Sequence, residues 1–375
     1  MKKLGIIFLL LITTYVYPQN FGTTDIDKEI ISTLFSGDWQ KSDSLIDMQL
    51  TAMPDHPKYY FMKAYNAFYS RLIGNNGLSR DESLRKTTYY AWEAIKIGER
   101  VTPTTETKFY TGLAYAFLSR TNVMNRDYWN AYWNAGESED LLEDVLEKDP
   151  QMIDAYFNLG VNDYFADVMI TGFQSVLTWF GGMPGNRERG LYYIDLVAEK
   201  GNLFKDEAKF ANGLIYRFRE IDNGKALANL SELYAKYPGS SPINDAYATA
   251  SFVDKIEKEG VDFLEAEFDS LMTHYRLTNS FRLNSIGYFL INQNKLNEAL
   301  KVFQINIRLY PTVANCYDSL AECYMNMGDN TNAIKFYQTA YNKLDADDSI
   351  TDENREAAKV RITEQLEELG AGTNT

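Results

Sequence analysis

The chain has 375 residues, of which 45% are hydrophobic and 24% charged, with a formal net charge of −15. That balance excludes both a string of membrane spans and a disordered polymer, and it argues against nucleic acid, whose phosphates require a local excess of Lys and Arg. Two His and two Cys leave few metal ligands or acid–base groups, so the unusual feature is an aromatic content of 14%.

Lys2 and Lys3 precede an apolar run from Leu4 to Ile12. A basic start followed by a short apolar stretch reads as a secretory signal peptide over 1–19, and it is too short to span a bilayer. No small-x-small pair stands near Gln19, so an uncleaved N-terminal anchor is the alternative. No Cys follows the run, which excludes acylation of a new N-terminal Cys.

Residues 20–276 read as a degenerate array of helix pairs. Gly37-Asp38-Trp39, Ile46 and Pro54 look like the turn and second helix of a first pair. Pairs follow over 57–102, around Gly112 and Tyr115 with Leu142 and Val145, around Gly160 and Tyr156 with Gly190, Ile194 and Val197, around Gly213 and Tyr216 with Ala226 and Leu230, and over 243–276. Seven of the nine prolines (Pro54, Pro57, Pro103, Pro150, Pro238, Pro242 and Pro311) stand at the joints between these pairs, where helix termination places them. No stretch alternates as a strand does.

Two pairs carry additional residues, near 119–138 and 166–186. The first contains Tyr128, Trp129, Tyr132 and Trp133. Trp129 and Trp133 are four apart and share a helix face, which suits either stacking on a ligand or packing on a neighbouring helix. The second runs apolar from Phe165 to Phe180 and leaves through a Gly-rich turn without the Gly-Lys-Ser/Thr ending of a phosphate loop.

Near the C-terminus Leu283, Gly287, Leu290, Ala299 and Phe303 recur as Tyr317, Ala321, Tyr324, Ala333 and Tyr337, each at an offset of 34. Gly328-Asp329 makes the turn in the second unit and Gln293-Asn294 replaces it in the first. Residues 280–348 therefore form two well-matched units, 350–369 a polar closing helix and 370–375 a tail. Asp345, Asp347, Ser349 and Glu356 imitate a calcium loop, but Ile350 stands where the loop needs Gly. The run is better read as a turn before a helix capped by Thr351 or Ser349. Cys316 and Cys323 are seven apart on one helix, about 10.5 Å along its axis. That is beyond disulfide reach.

Over about 65 residues this period closely resembles the tetratricopeptide repeat, a helix–turn–helix unit of 34 residues. The resemblance implies an all-α, tetratricopeptide-type α-solenoid, a right-handed superhelix of about eight antiparallel helix pairs with a C-terminal capping helix. It also implies a groove lined by the first helix of each pair. The matching positions are Phe281, Asn284, Tyr288, Ile291 and Asn292 in one unit, and Asn315, Asp318, Glu322, Met325 and Asn326 in the next, with Phe109, Phe157, Phe210 and Arg217 upstream. The Lys/Asn/Arg set that clamps a peptide carboxylate in chaperone-binding members is missing from these positions, so an acidic C-terminal tail is not the expected ligand.

No catalytic constellation accompanies the repeats. There is no Gly-x-Ser-x-Gly elbow and no His-Glu-x-x-His; His56 lies at a joint and His274 at a helix end. No catalytic residue, cofactor or metal is expected. The function expected is a non-enzymatic, exported scaffold or adaptor that binds a protein or peptide, periplasmic or outer-membrane-associated in the envelope of a Gram-negative bacterium. The alternative is a glycan- or nutrient-binding protein that uses Trp129 and Trp133. Nucleic acid is not an expected partner; 165–180 is read as packing within the solenoid, with that segment or an uncleaved N-terminus the only routes open to membrane contact.

Overall fold

The computed structural model describes residues 23–73, 77–177, 185–277 and 279–372, with the backbone alone at 73 and 169–177. The expected signal peptide lies outside them, as do the side chains of the apolar segment from 169 onward and the last residues of the tail. Among the described residues every regular element is a helix.

The helices run in pairs along the chain: α1 (Asp25–Phe35) with α2 (Trp39–Ala52), α3 (Pro57–Ile73) with α4 (Arg80–Arg100), α5 (Thr105–Met124) with α6 (Tyr128–Lys148), and α7 (Ala155–Leu177) with α8 (Arg187–Lys200). They continue as α9 (Lys205–Phe218) with α10 (Asn223–Lys236), α11 (Ser241–Glu259) with the short α12 (Phe263–Ala266) and α13 (Leu271–His274), α14 (Ser280–Asn292) with α15 (Leu296–Leu309), and α16 (Ala314–Asn326) with α17 (Asn330–Lys343). A last helix, α18 (Asp352–Glu368), closes the array. The fold is all-α, and the described residues form eight sequential helix pairs and a capping helix. Its seven joint prolines all fall between one pair and the next or in the first turn of the following helix.

The 34-residue period is a period of geometry. Both helices of the α16–α17 pair start and stop 34 residues after those of α14–α15. The two turns also match bond for bond. Lys295 N–H donates to Leu290 C=O and Asn294 N–H to Ile291 C=O; in the next unit Asp329 reaches Tyr324 and Gly328 reaches Met325. This closing pattern needs one left-handed residue, supplied by Asn294 (φ 58°) and Gly328 (φ 77°). Asp127 and Arg126 repeat it at the end of α5, with Arg126 at φ 61°. Three second helices then begin at an Asp: Asp127, Asp222 and Asp329 each accept the backbone N–H three residues on. That bond satisfies one of the orphan donors of a helix start.

Small residues let the paired helices touch. A Cβ on Gly287 would lie 2.3 Å from the Phe303 ring and one on Gly213 would lie 2.6 Å from Leu230. At the α7–α8 crossing backbone meets backbone, since a Cβ on Gly190 would lie 2.6 Å from Tyr164 N and 2.8 Å from Gly160 O.

The additional residues near 119–138 are helix. Helices α5 and α6 have 20 and 21 residues where α14 and α15 have 13 and 14, and only three residues separate them. The extension of α5 buries Ser119 and Thr121, and Ser119 Oγ donates to Ala131 C=O on α6 at 2.8 Å, so it is held as packed helix. At 166–186 part of the excess is likewise helix, because α7 runs for 23 residues. The pair read over 243–276 departs the other way: its second helix is two single turns joined by a 3-10 turn over Phe268–Ser270. Leu264 and Leu271 still reach the core of Phe252, Val253 and Ile256.

The chain divides into two compact units. Unit 1 runs through Thr33, then over Gln40–Phe68 and Gly77–Phe204. Its core is aromatic, with Phe61 edge-on to Phe117 at 5.4 Å and Phe157 stacked on Phe204 at 5.7 Å. Its charged centre is Lys58, buried with Asp27 at 2.7 Å. Unit 2 holds Leu34–Trp39, a short stretch that begins at Tyr69, and the chain from Lys205. Its core is mainly aliphatic around Leu283, Leu290, Val302 and Leu320, continued by Ala321, Ala333, Tyr337, Ile362 and Leu366.

Candidate partner-binding surfaces

On α14 the side chains divide by register. Leu283, Gly287 and Leu290 are buried toward α15, which leaves Phe281, Asn284, Tyr288 and Asn292 on the face that meets the next first helix, α16. The Tyr288 hydroxyl crosses that gap and donates to Glu322 Oε2 at 2.6 Å, with Ser319 Oγ at 3.2 Å. Burial and the Glu322 carboxylate together push the phenol well above its ordinary range, so it stays a donor at any physiological pH.

Asp318, one turn before Glu322, is buried and held by both arms of Arg361 on α18, at 3.0 and 2.7 Å. This fork-to-fork pair is the strong geometry for carboxylate and guanidinium. Burial alone would lower the Arg361 pKa, but the bonds and charge of Asp318 outweigh it and raise it. The capping helix thus covers one of the positions read as groove lining.

The expected groove set therefore separates into two. Phe281 is 70% exposed and Asn292 is exposed, and Tyr288 and Glu322 are half-buried and bonded to each other. Asn284 and Asp318 are buried, and Met325 packs against the core of α16–α18. This corrects the reading of Asn284 and Asp318 as partner-facing, because successive first helices, and α18 after them, press on that part of the face; Met325 is only partly buried. Upstream the same correction applies to Phe109 and Phe157, which belong to the aromatic core of unit 1. Phe210 is half-buried and Arg217 is buried.

Trp129 and Trp133 lie in the first two turns of α6, 55% and 60% exposed. More than half of each residue is open to solvent. Tyr89 and Trp92 on α4, and Tyr192 on α8, are also exposed on second helices of unit 1.

Several side chains with reactive groups serve the fold. His56 Nδ1 accepts the Lys58 backbone N–H at 3.2 Å and so caps α3, a role that needs neutral imidazole; burial lowers its pKa, against the opposing pull of Glu106. Cys316 and Cys323 are free and buried, and burial pushes their thiols up to about 12 and about 11. Asp347 accepts from Ala314 N–H at 2.8 Å and Ser349 N–H at 2.9 Å, and α18 is capped by Thr351. The acidic run before α18 thus fastens the start of α16. Among the described residues no group of His, Cys, Asp or Glu is arranged to hold a metal ion, and no helix is long and apolar enough to cross a membrane.

Sequence reasoning missed Arg361, read only as part of a polar cap. A lone Arg opposite a carboxylate 43 positions earlier carries no local pattern.

No protein-family model matches the chain, and no curated protein matches it. Among solved structures, it is similar to a human IFIT1 dimer with m7Gppp-AAAA, at 13% identity and a TM-score of 0.36, over 82% of this chain and 68% of that one. It is also similar to the P58(IPK) TPR domain, at 13% and 0.24 over 92% and 99%, and to yeast Tom70, at 12% and 0.25 over 91% and 89%. Likenesses this distant leave the repeat assignment to rest on the chain's own 34-residue register.

Proposed function

We propose that the chain is a non-enzymatic scaffold that holds a protein or peptide partner on the first-helix face of its C-terminal units, and that it does so after export to the bacterial envelope. The observation that carries the binding reading is Phe281. It is a large aromatic side chain, 70% exposed, on a face whose polar neighbours are already fixed by the Tyr288–Glu322 and Asp318–Arg361 bonds. A rigid surround costs little further ordering on association, and an aromatic anchor is the residue type that dominates such interfaces. The export reading rests on Lys2, Lys3 and the apolar run after them.

A photo-crosslinking side chain placed at position 281 tests the binding surface. One discrete adduct in envelope extracts, absent when the same group is placed at exposed Asp345, is expected; equal labelling from both positions refutes the assignment. Fractionation of cells carrying a tagged chain tests export, and a tag confined to the cytoplasm would contradict it.

The second reading, glycan binding, is favoured by the exposed Trp129 and Trp133 pair on one helix face. Aromatic planes of this kind stack on apolar sugar faces. Intrinsic tryptophan fluorescence should shift with an oligosaccharide panel and lose that shift in a Trp129→Phe/Trp133→Phe variant. An unresponsive wild type removes this reading.

A further inference from the structure

Four large rings of unit 1 stay in contact with water on two second helices. Tyr89 and Trp92 on α4 are 59% and 44% exposed, beside the 55% and 60% of Trp129 and Trp133 on α6. All four are Tyr or Trp, residue types enriched at protein interfaces because they join a large apolar ring to a polar tip.

Packing sets the two pairs at one height. Thr88 on α4 meets Thr121 on α5 at 3.4 Å, and Ser119 on α5 donates to Ala131 C=O on α6 at 2.8 Å. Further along, Gly98 lies against Thr111 and Gly112 against Leu142, so α5 runs antiparallel to both neighbours. Tyr89 therefore stands level with Trp129, and Trp92 with Trp133, on the helices that flank α5.

Charge gives the occupant its character. From Trp129 and Trp133 the exposed stripe of α6 continues at steps of three or four residues through Glu137, Asp140, Asp144 and Glu147. Lys108 and Lys148 take Asp144. The remaining negative field registers on Glu139, on the flank of the same helix. Burial raises its pKa, and Glu143, Asp163 and Asp140 raise it further against the pull of Arg189. An anionic membrane surface is repelled by such a stripe, and a neutral sugar stacked on the rings leaves the carboxylates unused. A Lys or Arg suits both halves, because it is attracted to the face of an indole and pairs with a carboxylate. Trp133 and Asp140 are about 10.5 Å apart along the axis, the reach of roughly three extended residues.

We propose that the exposed face of α4 and α6 docks an extended segment of a partner protein, in which apolar residues are followed by Lys or Arg. The apolar residues cover the four rings and the cations meet Glu137 and Asp140. This is a second protein surface, on unit 1, and does not rest on the face around Phe281. It competes with the glycan reading for the same Trp pair.

Fluorescence anisotropy with the full chain tests it, using a labelled octapeptide with three Leu in its first half and three Arg in its second. The wild type should bind this peptide in preference to one with Glu in place of Arg and one with Gly in place of Leu. Trp129→Ala/Trp133→Ala should weaken binding about tenfold. Glu137→Gln/Asp140→Asn should weaken it about fivefold and flatten its salt dependence. Both pairs of positions lie at the surface, so thermal melts should match the wild type, and Phe281→Ala should bind as the wild type does. A wild type that ignores the Leu/Arg peptide overturns the proposal, as does equal binding by the Trp variant. Equal binding of the Leu-free peptide reduces the effect to the net charge of the chain and overturns it too. Loss of binding in Phe281→Ala moves the peptide to the other face, and a neutral oligosaccharide that displaces the peptide returns the Trp pair to the glycan reading; either result overturns the proposal.

Discussion

Arg126 shows how much of this repeat is decided by single backbone angles. It occupies the left-handed position that closes α5, at φ 61°, where Gly328 serves α16 and Asn294 serves α14. For an L-residue with a side chain that conformation costs roughly 1–2 kcal/mol, and Arg126 is exposed, so its side chain is not held there by burial. Arg126→Gly should therefore stabilise the protein by about 0.5–1 kcal/mol, and Gly328→Ala should destabilise it by about 1 kcal/mol; urea unfolding midpoints measure both. Asp347 carries the pH dependence at this scale. Its burial opposes the charged form, but the bonds from Ser349 and the Ala314 N–H prevail and hold the carboxyl below its usual range. A folded-state pKa below the unfolded one gives stability that is complete above the ordinary carboxylate pKa, about 3.9, and is lost as pH falls through the lower folded value. Asp347→Asn should reduce the stability difference between pH 5 and pH 3, as read from thermal melts at each pH; an unchanged difference would remove Asp347 from the acid response.

At the level of elements, α18 does more than end the array. It buries Ile362 and Leu366 against α17 and sends Arg361 to Asp318 on α16. Arg361→Met should cost about 2 kcal/mol, less than the 3–5 kcal/mol of a wholly buried pair because the Arg361 side chain is 48% exposed. Adding Asp318→Asn should recover part of that loss, since it removes the stranded charge; a double variant as unstable as the two single losses combined would show that the pair is not coupled. These elements also mark where the sequence was readable. The 34-residue offset, the Gly328-Asp329 turn and the joint prolines are local signals, and each maps onto a helix boundary or a cap. The extensions of α5 and α6 were visible as surplus length, but helix and loop compete for such residues on packing, which pattern alone does not report. The break between α12 and α13 had no Gly or Pro to announce it. The candidate site was least legible, because burial of Asn284 and Asp318 depends on what the next first helix, and then α18, brings across from 30 to 40 residues away.

For the molecule as a whole, stability in a repeat array is a sum of nearest-neighbour terms, and the cores of the two units differ in kind. Unit 1 depends on close aromatic contact and on the backbone approach at Gly190; unit 2 on aliphatic packing around Leu283, Leu290 and Leu320. Gly190 is the sharper probe. A methyl there meets Tyr164 N and Gly160 O, at 2.6 and 2.8 Å, and backbone cannot rotate away as a side chain can. Gly190→Ala must push α7 and α8 apart, a shift that typically costs 1–3 kcal/mol. If neighbouring pairs carry the coupling, amide exchange should accelerate in α5 to α8 and keep its wild-type rate in α14 to α17. If instead the chain folds as one cooperative body, the same substitution would raise exchange everywhere by the same factor. Hydrogen-exchange mass spectrometry on the full chain separates the two outcomes. The local pattern is expected, because α5 meets mainly α6 and α7 meets mainly α8, as α14 meets α15 and α16 meets α17.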